Sequence, residues 1–584
     1  MSRMQKTAHQ IVSLAIMVGF VCGAQGVQDM NLARPVELPF EQVLPGAIDQ
    51  YEILTLSSTW SHEYFIQSRK LDDQGLTLEV TRGRSGLGAK PWLLARHIES
   101  GRGIGIFLAY PGNWRIELKP AGDNTVLHAA TIPYPLETYD NVNGLPIPGA
   151  LVSEFRGSWD DGANPIKAFI RSRLLRDMGE DWPLVQYNTW YDLEEHISHE
   201  RLLKLAEAAA DLGCELFTLD AGWYGNNKDW GRALGDWTVN RERLPEGIEP
   251  LAKRVRELGM KFGLWVEIEI ADSDSAIVRD NPDWVLPVTT GNYRVCLDFG
   301  KPEVLAWASE TIDRLVTAYQ LDYIKMDFNT NLMIGSEADG QNLVLWRHYR
   351  GLSRLWTDMR NKYPAMVIEN CSSGSLRSDL SAAAYTDTSW VSDAIGNRHN
   401  LVMNYGVVYV FPPEMNSHWT CTPENTDYMD IQACLRVNML GHLGVSGALI
   451  PSEDPKAPKP WSDEARQQGK KEIALYKELR PLIRKATVFH LTEPADVNNP
   501  VTAQILQYTD VQADRSLIFV FAGGQGRQLN IQPVRLQPNV SYRVSGYDAF
   551  INEVVLSGEQ LMAGYPIELP ASNGSTILQI EPIK

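Results

Sequence analysis

Residues 321–329 read LDYIKMDFN, a stretch that joins an apolar run to three polar side chains at alternate positions. Alternate residues of a β-strand point to the same face, so Lys325, Asp327 and Asn329 emerge together if the stretch is a strand. A buried strand that ends in a base, an acid and an amide indicates one wall of a polar pocket. The neighbouring segments decide which fold presents that wall.

The composition favours a multidomain protein with an uncharged polar partner. At 584 residues the chain is too long for a single core. Its net charge of −18 and the absence of a basic stripe in the sequence argue against a nucleic-acid partner. The 17 tryptophans supply flat apolar rings of the kind that stack on sugars. We therefore expect a carbohydrate partner.

The amino terminus has the layout of a signal peptide. Arg3 and Lys6 precede an apolar run at 11–21, and the small residues Gly23 and Ala24 follow it. The run is short for a bilayer span, so we expect cleavage after Ala24, export to the periplasm or medium, and no membrane insertion of the mature chain.

The spacing of apolar residues divides the rest of the chain into three parts. Short alternating runs broken by Gly and Pro predict a β-sandwich over 25–180 and a second, smaller β domain over 487–584. Between them, over 181–486, strand-like runs alternate with amphipathic helices. In SHERLLKLAEAAADLG, one such helix, the apolar residues recur at helical spacing before Gly213: Leu202, Leu205, Ala206, Ala209 and Leu212.

The central part predicts a (β/α)8 TIM barrel. The alternative, a doubly wound open sheet, needs a glycine-rich phosphate turn after a strand, which the sequence lacks. The eight predicted strands are LVQYNTW (184–190), ELFTLDAGW (215–223), FGLWVEIE (262–269), DYIKMDF (322–328), MVIENC (366–371), TDTSWVSD (386–393), VVYVFPPE (407–414) and SGALIPS (446–452).

Polar groups and tryptophans gather at the ends of the first six predicted strands, which is where a barrel places its site. On the third strand, Glu267 and Glu269 alternate with apolar residues, and we favour salt links inside the barrel over the alternative that they contact the substrate. The predicted site residues at the strand ends are Trp190, Asp220, Trp265, Lys325, Asp327, Asn329, Cys371, Trp390 and Asp393.

Two carboxylates on different strands, lined by tryptophan, fit glycoside hydrolysis. One attacks the anomeric carbon, and the other protonates the leaving oxygen and later activates water. Asp327 lies two residues from Lys325, whose charge keeps it ionised as the nucleophile. Asp393 has no cation beside it in sequence and is the predicted acid/base. This chemistry requires no metal or other cofactor, and the six scattered cysteines show no metal-site spacing.

These residues resemble the melibiase-type glycoside hydrolase family 36, whose best-known members are retaining α-galactosidases. The family's nucleophile strand, Lys-Trp-Asp-Met-Asn, is similar to Lys325-Met326-Asp327-Phe328-Asn329. Its Cys-Ser-x-Gly segment is similar to Cys371–Gly374, and its Trp-x-Ser-Asp to Trp390–Asp393. The resemblance implies the three-domain fold over the whole mature chain and an exo-enzyme that hydrolyses terminal α-D-galactosides by double displacement. Together with the signal peptide, it predicts an exported enzyme.

The resemblance also implies roles around the sugar. Lys325 and Asp220 would hold galactosyl hydroxyls, and Trp190 and Trp265 would form apolar walls. The other implied contacts are Asn329, Cys371, Gly374 and Trp390. Family members often assemble through the amino-terminal domain, which is shorter here, so a homo-oligomer is left open.

The sequence departs from the family pattern on the substrate side. The family's Leu-Asp-Asp-Gly-Trp is Leu219-Asp220-Ala221-Gly222-Trp223 here, which removes a carboxylate from the side that would hold galactose O4 and O6. Where the family has an Arg ahead of the nucleophile helix, Asn292 stands, with Arg294 two residues on. The open alternatives are an α-N-acetylgalactosaminidase, a β-L-arabinopyranosidase, a transglycosylase and an inactive carbohydrate-binding protein.

Overall fold

The computed structural model describes residues 33–132, 149–288, 293–332, 339–422, 429–494, 503–522, 528–570 and 574–583, with the backbone alone for 339–341. The predicted signal peptide, residues 1–24, lies outside the described residues. Among the helices of the described part, none combines the length and the apolar composition needed to cross a bilayer.

Two antiparallel sheets form the amino-terminal domain in the described residues. The order of the first sheet is Arg34–Glu37, Gly149–Arg156, Arg102–Ala109, Gly88–His97, Tyr51–Thr59 and His62–Lys70. The order of the second is Phe40–Pro45, Asn124–Thr131, Trp114–Ala121 and Leu76–Val80. A cluster of buried side chains from both sheets fills the space between them, as expected for a sandwich.

The larger sheet is apolar on both faces, which fixes this domain to the barrel. On strand Gly88–His97, Leu93 and Ala95 pack between the two sheets. Their neighbours Trp92 and Leu94 point the other way, into the core shared with the barrel. The ring of Trp92 lies 6.3 Å from that of Tyr409, centre to centre. The larger sheet is thereby held against the barrel.

Eight parallel strands close into a barrel, which confirms the predicted fold class. Neighbouring strands are hydrogen-bonded in chain order, and the last pairs with the first. The strands are Gln186–Asn188, Leu216–Leu219, Lys261–Val266, Tyr323–Met326, Val367–Asn370, Thr388–Trp390, Asn416–Thr420 and His442–Val445.

Helices lie before, between and after these strands. The predicted amphipathic helix is confirmed as His199–Leu212: the Ser198 hydroxyl caps its first turn, its predicted apolar residues are buried, and Gly213 ends it at a φ of 104°. The other helices are Trp159–Phe169, Trp190–Leu193, Glu249–Glu257, Ala276–Asp280, Pro302–Tyr319, Asp339–Lys362, Leu380–Tyr385, Asn397–Val407, Ile431–Asn438 and Asp463–Ile483.

The predictions for the last two barrel strands were wrong. The apolar run at 407–414 ends a buried helix and continues as a turn, and the seventh strand is Asn416–Thr420. The sequence NSHWT of that strand is mostly polar, although its side chains are buried inside the barrel. It therefore carries almost none of the apolar pattern that predicts a buried strand. The eighth strand, His442–Val445, ends just before the predicted segment 446–452.

The carboxyl-terminal domain is a six-stranded antiparallel sheet with a two-stranded ladder. The sheet order is Thr487–His490, Gln504–Asp510, Arg515–Phe521, Ser575–Pro582, Ser541–Gly546 and Val554–Ser557. The ladder pairs Gln528–Ile531 with Tyr565–Glu568, and a short helix spans Gly558–Ala563. The buried Arg436 joins this domain to the barrel through Glu472 and Asp548, at 3.0 and 2.8 Å.

Candidate active site

A cavity of about 460 Å³ opens at the carboxyl ends of the barrel strands. Its lining contains nine of the ten residues that the sequence places in the site. They are Trp190, Asp220, Trp265, Lys325, Asp327, Asn329, Cys371, Trp390 and Asp393.

Parallel register brings the strand ends together. Lys325, on the fourth strand, lies beside Trp265 of the third and Glu369 of the fifth. All three point inward at one level of the barrel, so their side chains meet without help from a loop. The Lys325 ammonium donates to Glu369 at 3.1 Å and lies 4.7 Å from the ring centres of Trp390 and Trp419.

Asp327 directly follows the fourth strand and is held by four hydrogen bonds. Its Oδ2 accepts from the Trp265 indole at 3.1 Å and from the Asn329 amide at 2.8 Å. Its Oδ1 accepts from the backbone N–H groups of Phe328 at 2.7 Å and Ser373 at 3.2 Å. Both oxygens are therefore fixed in direction.

These contacts keep Asp327 ionised. Burial by itself would raise its pKa, but the Lys325 ammonium, the neighbouring Cys371 side chain and the hydrogen bonds from Asn329 and the Phe328 backbone bring the pKa below its ordinary value. The neighbouring acidic groups also act on the pKa of the Lys325 ammonium. Burial would lower the pKa of Lys325, yet Cys371, Glu369 and the two nearby aspartates raise it. The pair is charged at neutral pH.

Asp393 follows the sixth strand and is held by aromatic donors. The Trp390 indole donates to its Oδ1 at 2.8 Å, and the Trp60 indole donates to its Oδ2 at 2.8 Å. The Tyr191 hydroxyl binds its backbone oxygen at 2.5 Å. No ion pair to the Asp393 side chain occurs in the described part of the chain at 4 Å or less.

The environment of Asp393 favours its protonated form. Burial is the largest cause that raises its pKa, and repulsion by the Asp327 carboxylate adds to it. The two indole hydrogen bonds and the weaker attraction of Lys325 only partly offset these effects. One cavity thus combines an ionised carboxylate with a carboxyl group that retains its proton to higher pH, which is the division of labour between a nucleophile and a general acid.

Asp220 and Ala221 line the wall beside the first two strands. Asp220 accepts from the Asn188 amide at 2.7 Å, and burial raises its pKa to about 6. Ala221 lies near an aromatic corner in which the rings of Trp190 and Trp230 meet edge to face at 5.6 Å. An acid that can bind hydroxyls therefore stands beside an apolar surface.

Glu267 is linked to Asp327 through Asn329, and it has no ion pair at 4 Å or less within the described residues, so the expected salt link of Glu267 is not found there. The Asn329 amide bridges Glu267 at 3.3 Å and Asp327 at 2.8 Å. Burial, then repulsion by Asp327, raises the pKa of Glu267 to about 7. The expectation is confirmed for Glu269, which pairs with Arg377 at 2.7 Å.

Seven lining residues were absent from the predicted site: Trp60, Tyr191, Ala221, Trp230, Arg294, Ser373 and Trp419. Ala221 was noted only as a departure from the family pattern. Arg294, noted only as out of register, lies on a ladder of Ile270–Asp272 with Arg294–Cys296 and donates to the Asn329 backbone at 3.0 Å. Trp419 lies on the seventh strand, whose position was predicted wrongly. Trp60 comes from the amino-terminal domain, and the rule that a barrel places its site at the strand ends predicts nothing about that domain.

Gly374 is not among the residues that line the cavity. It adopts a φ of 79°, which favours glycine, and a side chain there would meet Glu63 Oε1 at 2.5 Å and Ser392 Cα at 3.1 Å. The structure explains this glycine by close approach of the amino-terminal domain. Its role in substrate binding stays a prediction.

Glu194, Glu195 and His196 are the one group of at least three His, Cys, Asp or Glu side chains in the described ranges whose ligand atoms lie close enough to share a metal ion. None of the three lines the cavity. The chemistry of the cavity itself rests on carboxylates, a lysine and indoles.

Known proteins match this chain in sequence. A family model described as Melibiase matches residues 159–486. The α-galactosidase AgaA of Geobacillus stearothermophilus is 29% identical over 517 residues, which cover 84% of this chain and 68% of the relative. An α-galactosidase of Escherichia coli is 27% identical over 78% of this chain and 65% of its own length. The chain spans about two thirds of the length of these relatives.

Solved structures match the fold. The crystal structure of the GH36 α-galactosidase AgaA superposes with a TM-score of 0.82 at 24% identity and covers 93% of this chain and 76% of its own. That of the GH36 α-galactosidase AgaB of the same organism gives 0.81 at 25% identity, with the same coverage of both chains. Variants of AgaA have been solved in complex with raffinose and with stachyose.

Proposed function

The chain belongs to the melibiase family, and from this premise we propose that it is a retaining exo-α-galactosidase that acts on terminal α-D-galactosides. One observation carries the proposal: Asp327 and Asp393 face one tryptophan-lined cavity, with the pKa of Asp327 lowered and that of Asp393 raised. Double displacement needs this combination.

In the first step, Asp327 attacks C1 of the galactoside while Asp393 gives its proton to the glycosidic oxygen. The C1–O bond breaks, and a β-linked galactosyl ester forms on Asp327. In the second step, the Asp393 carboxylate takes a proton from water, which attacks C1 and frees the nucleophile. Two inversions return the α configuration.

Hydroxyls of the sugar bind the polar wall of the cavity. Lys325 and Asp220 supply a charged donor and an acceptor, while Trp190 and Trp265 provide apolar surfaces for the ring. Oligosaccharides such as raffinose and stachyose, present in complexes of AgaA variants, are the substrates we would test first.

We also propose that the enzyme works outside the cytoplasm. The basic start and apolar run of residues 1–24 support export. Fractionation of the source cells and amino-terminal sequencing of the mature protein test this. A mature chain that begins at Gln25 in the periplasm or medium is the expected result, and a cytoplasmic chain that retains Met1 would contradict it.

The activity is tested with the purified protein and a panel of p-nitrophenyl α- and β-glycosides together with raffinose. We expect release from the α-galactoside, with α-galactose as the first product seen by NMR. First appearance of β-galactose would exclude the retaining mechanism, and turnover of another glycoside alone would exclude galactose as the substrate.

Ala221 favours a second candidate substrate, a β-L-arabinopyranoside, which is galactose-like but lacks C6. The family resemblance places a carboxylate at this position, on the O4 and O6 side, and Ala221 offers only a methyl group there. We expect Ala221→Asp to raise the ratio of kcat/KM for galactoside over arabinopyranoside about tenfold or more, because a new polar partner rewards the additional hydroxyl. Ala221→Ser is the matched control of smaller polarity. An unchanged ratio in both variants would contradict this role.

A further inference from the structure

A tryptophan from the amino-terminal domain reaches the candidate acid/base. Trp60 lies between strands Tyr51–Thr59 and His62–Lys70, and its indole N–H donates to Asp393 Oδ2 at 2.8 Å across 333 positions of sequence. The residue is nevertheless 61% exposed. Apolar burial therefore does not account for its position, and the hydrogen bond is the contact that does.

The turn that carries Trp60 is anchored to the segment that carries Asp393. The carboxylate of the buried Glu63 accepts from the Ser61 backbone at 3.2 Å and from the Ser392 hydroxyl, one residue before Asp393. The buried Lys90 lies beside Glu63 and donates to the Ser375 carbonyl at 2.6 Å. The hairpin and the acid/base segment thus form one hydrogen-bonded unit, which limits how far the indole can move relative to the carboxyl group.

We propose that Trp60 is a positioning residue for Asp393 and that its open indole face forms part of the leaving-group side of the cavity. The inference rests on the proposed function. An acid must place its proton on the glycosidic oxygen, so any group bonded to Asp393 Oδ2 lies next to the departing sugar. The indole edge fixes the carboxyl group, and its face is free to stack on that sugar.

Trp60 and Trp390 act on opposite oxygens of the same carboxyl group. With both donors present, the group has one orientation. Without Trp60, Oδ2 loses its partner and the carboxyl group is free to rotate about its bond to Cβ. In the described part of the chain, the charged or titratable groups that face Asp393 are Asp327, Lys325, Glu63, Tyr191 and Cys371, and none is altered by a change at Trp60.

The test uses Trp60→Phe, which keeps a ring and removes the N–H, in the full-length mature enzyme. Trp307→Phe is the matched control, since Trp307 packs on Trp284 and does not line the cavity. The readout is kcat/KM for raffinose and for aryl α-galactosides with leaving groups of increasing acidity. A good leaving group departs without much help from the acid, whereas a sugar depends on it.

We expect Trp60→Phe to lower kcat/KM about tenfold or more for raffinose but less than about threefold for the dinitrophenyl galactoside. The alkaline limb of the pH profile shifts upward by about one unit, because a donor to the carboxylate is lost and the pKa of Asp393 rises. Trp60→Ala should in addition raise KM for raffinose, because the indole face that stacks on the departing sugar is lost. The control behaves as wild type.

An equal fall for every substrate with an unmoved alkaline limb would overturn the inference, and so would no change for any substrate. Either result leaves the proposed function intact, provided that the wild type is active. A wild type that is inactive on every α-galactoside would instead overturn the proposed function and this inference with it. Thermal melting of each variant separates these results from loss of the fold.

Discussion

The two carboxylates of the cavity differ in what surrounds them. Asp327 is buried beside a cation and accepts four hydrogen bonds from amide, indole and backbone donors. Asp393 accepts hydrogen bonds from two indoles, and the charge that affects its pKa most is the Asp327 carboxylate, which has the same sign. Burial acts on both in the same direction, yet their pKa values move apart. The difference shows that the neighbours of each aspartate, not its residue type, set the direction in which its pKa moves.

The largest effect is expected from Asp327→Asn. The amide is nearly isosteric but does not attack C1, so turnover falls by at least about 10⁴-fold for every leaving group. Steady-state kinetics on aryl galactosides measures this. The control is binding of a galactose analogue by calorimetry, which should persist. Substantial turnover in a folded variant would remove Asp327 from the nucleophile role.

Asp393→Asn should lower activity less than Asp327→Asn does, and by different factors for different leaving groups. We expect kcat/KM to fall by about 10² to 10⁴-fold for raffinose, because the leaving sugar then departs without a proton. The loss for a dinitrophenyl galactoside should be far smaller. A plot of log kcat/KM against leaving-group pKa checks this. A slope equal to that of the wild type would contradict the role of general acid.

Lys325→Met tests the cation that makes the environment of Asp327 different from that of Asp393. Lys325 lowers the pKa of Asp327, so its loss raises that pKa and moves the acid limb of the kcat/KM profile to higher pH, by about one to three units. The alkaline limb, set by Asp393, should move less. Lys477→Met is a control, since Lys477 pairs with Glu215 outside the cavity. An unmoved acid limb would contradict the account.

Much of the site was predictable because barrel register is regular. Polar residues at the strand ends converge on one side of the barrel independently of the conformation of the loops. This is why the sequence could place Asp220, Asp327 and Asp393 in the site. The seventh strand was missed because the buried polar residues of NSHWT carry no apolar pattern, and Trp419 was missed with it. Trp60 depends on how the amino-terminal hairpin docks on the barrel, and this is a tertiary contact without a local signal.

The most direct test of the two roles is azide rescue of Asp327→Ala and Asp393→Ala on an activated α-galactoside, with the product identified by NMR. Azide replacing the missing nucleophile attacks once from the opposite face and gives β-galactosyl azide. With the acid/base missing, Asp327 still forms the β-linked ester, and azide opens it to α-galactosyl azide. We predict β-azide from Asp327→Ala and α-azide from Asp393→Ala. The reverse assignment would contradict the central claim.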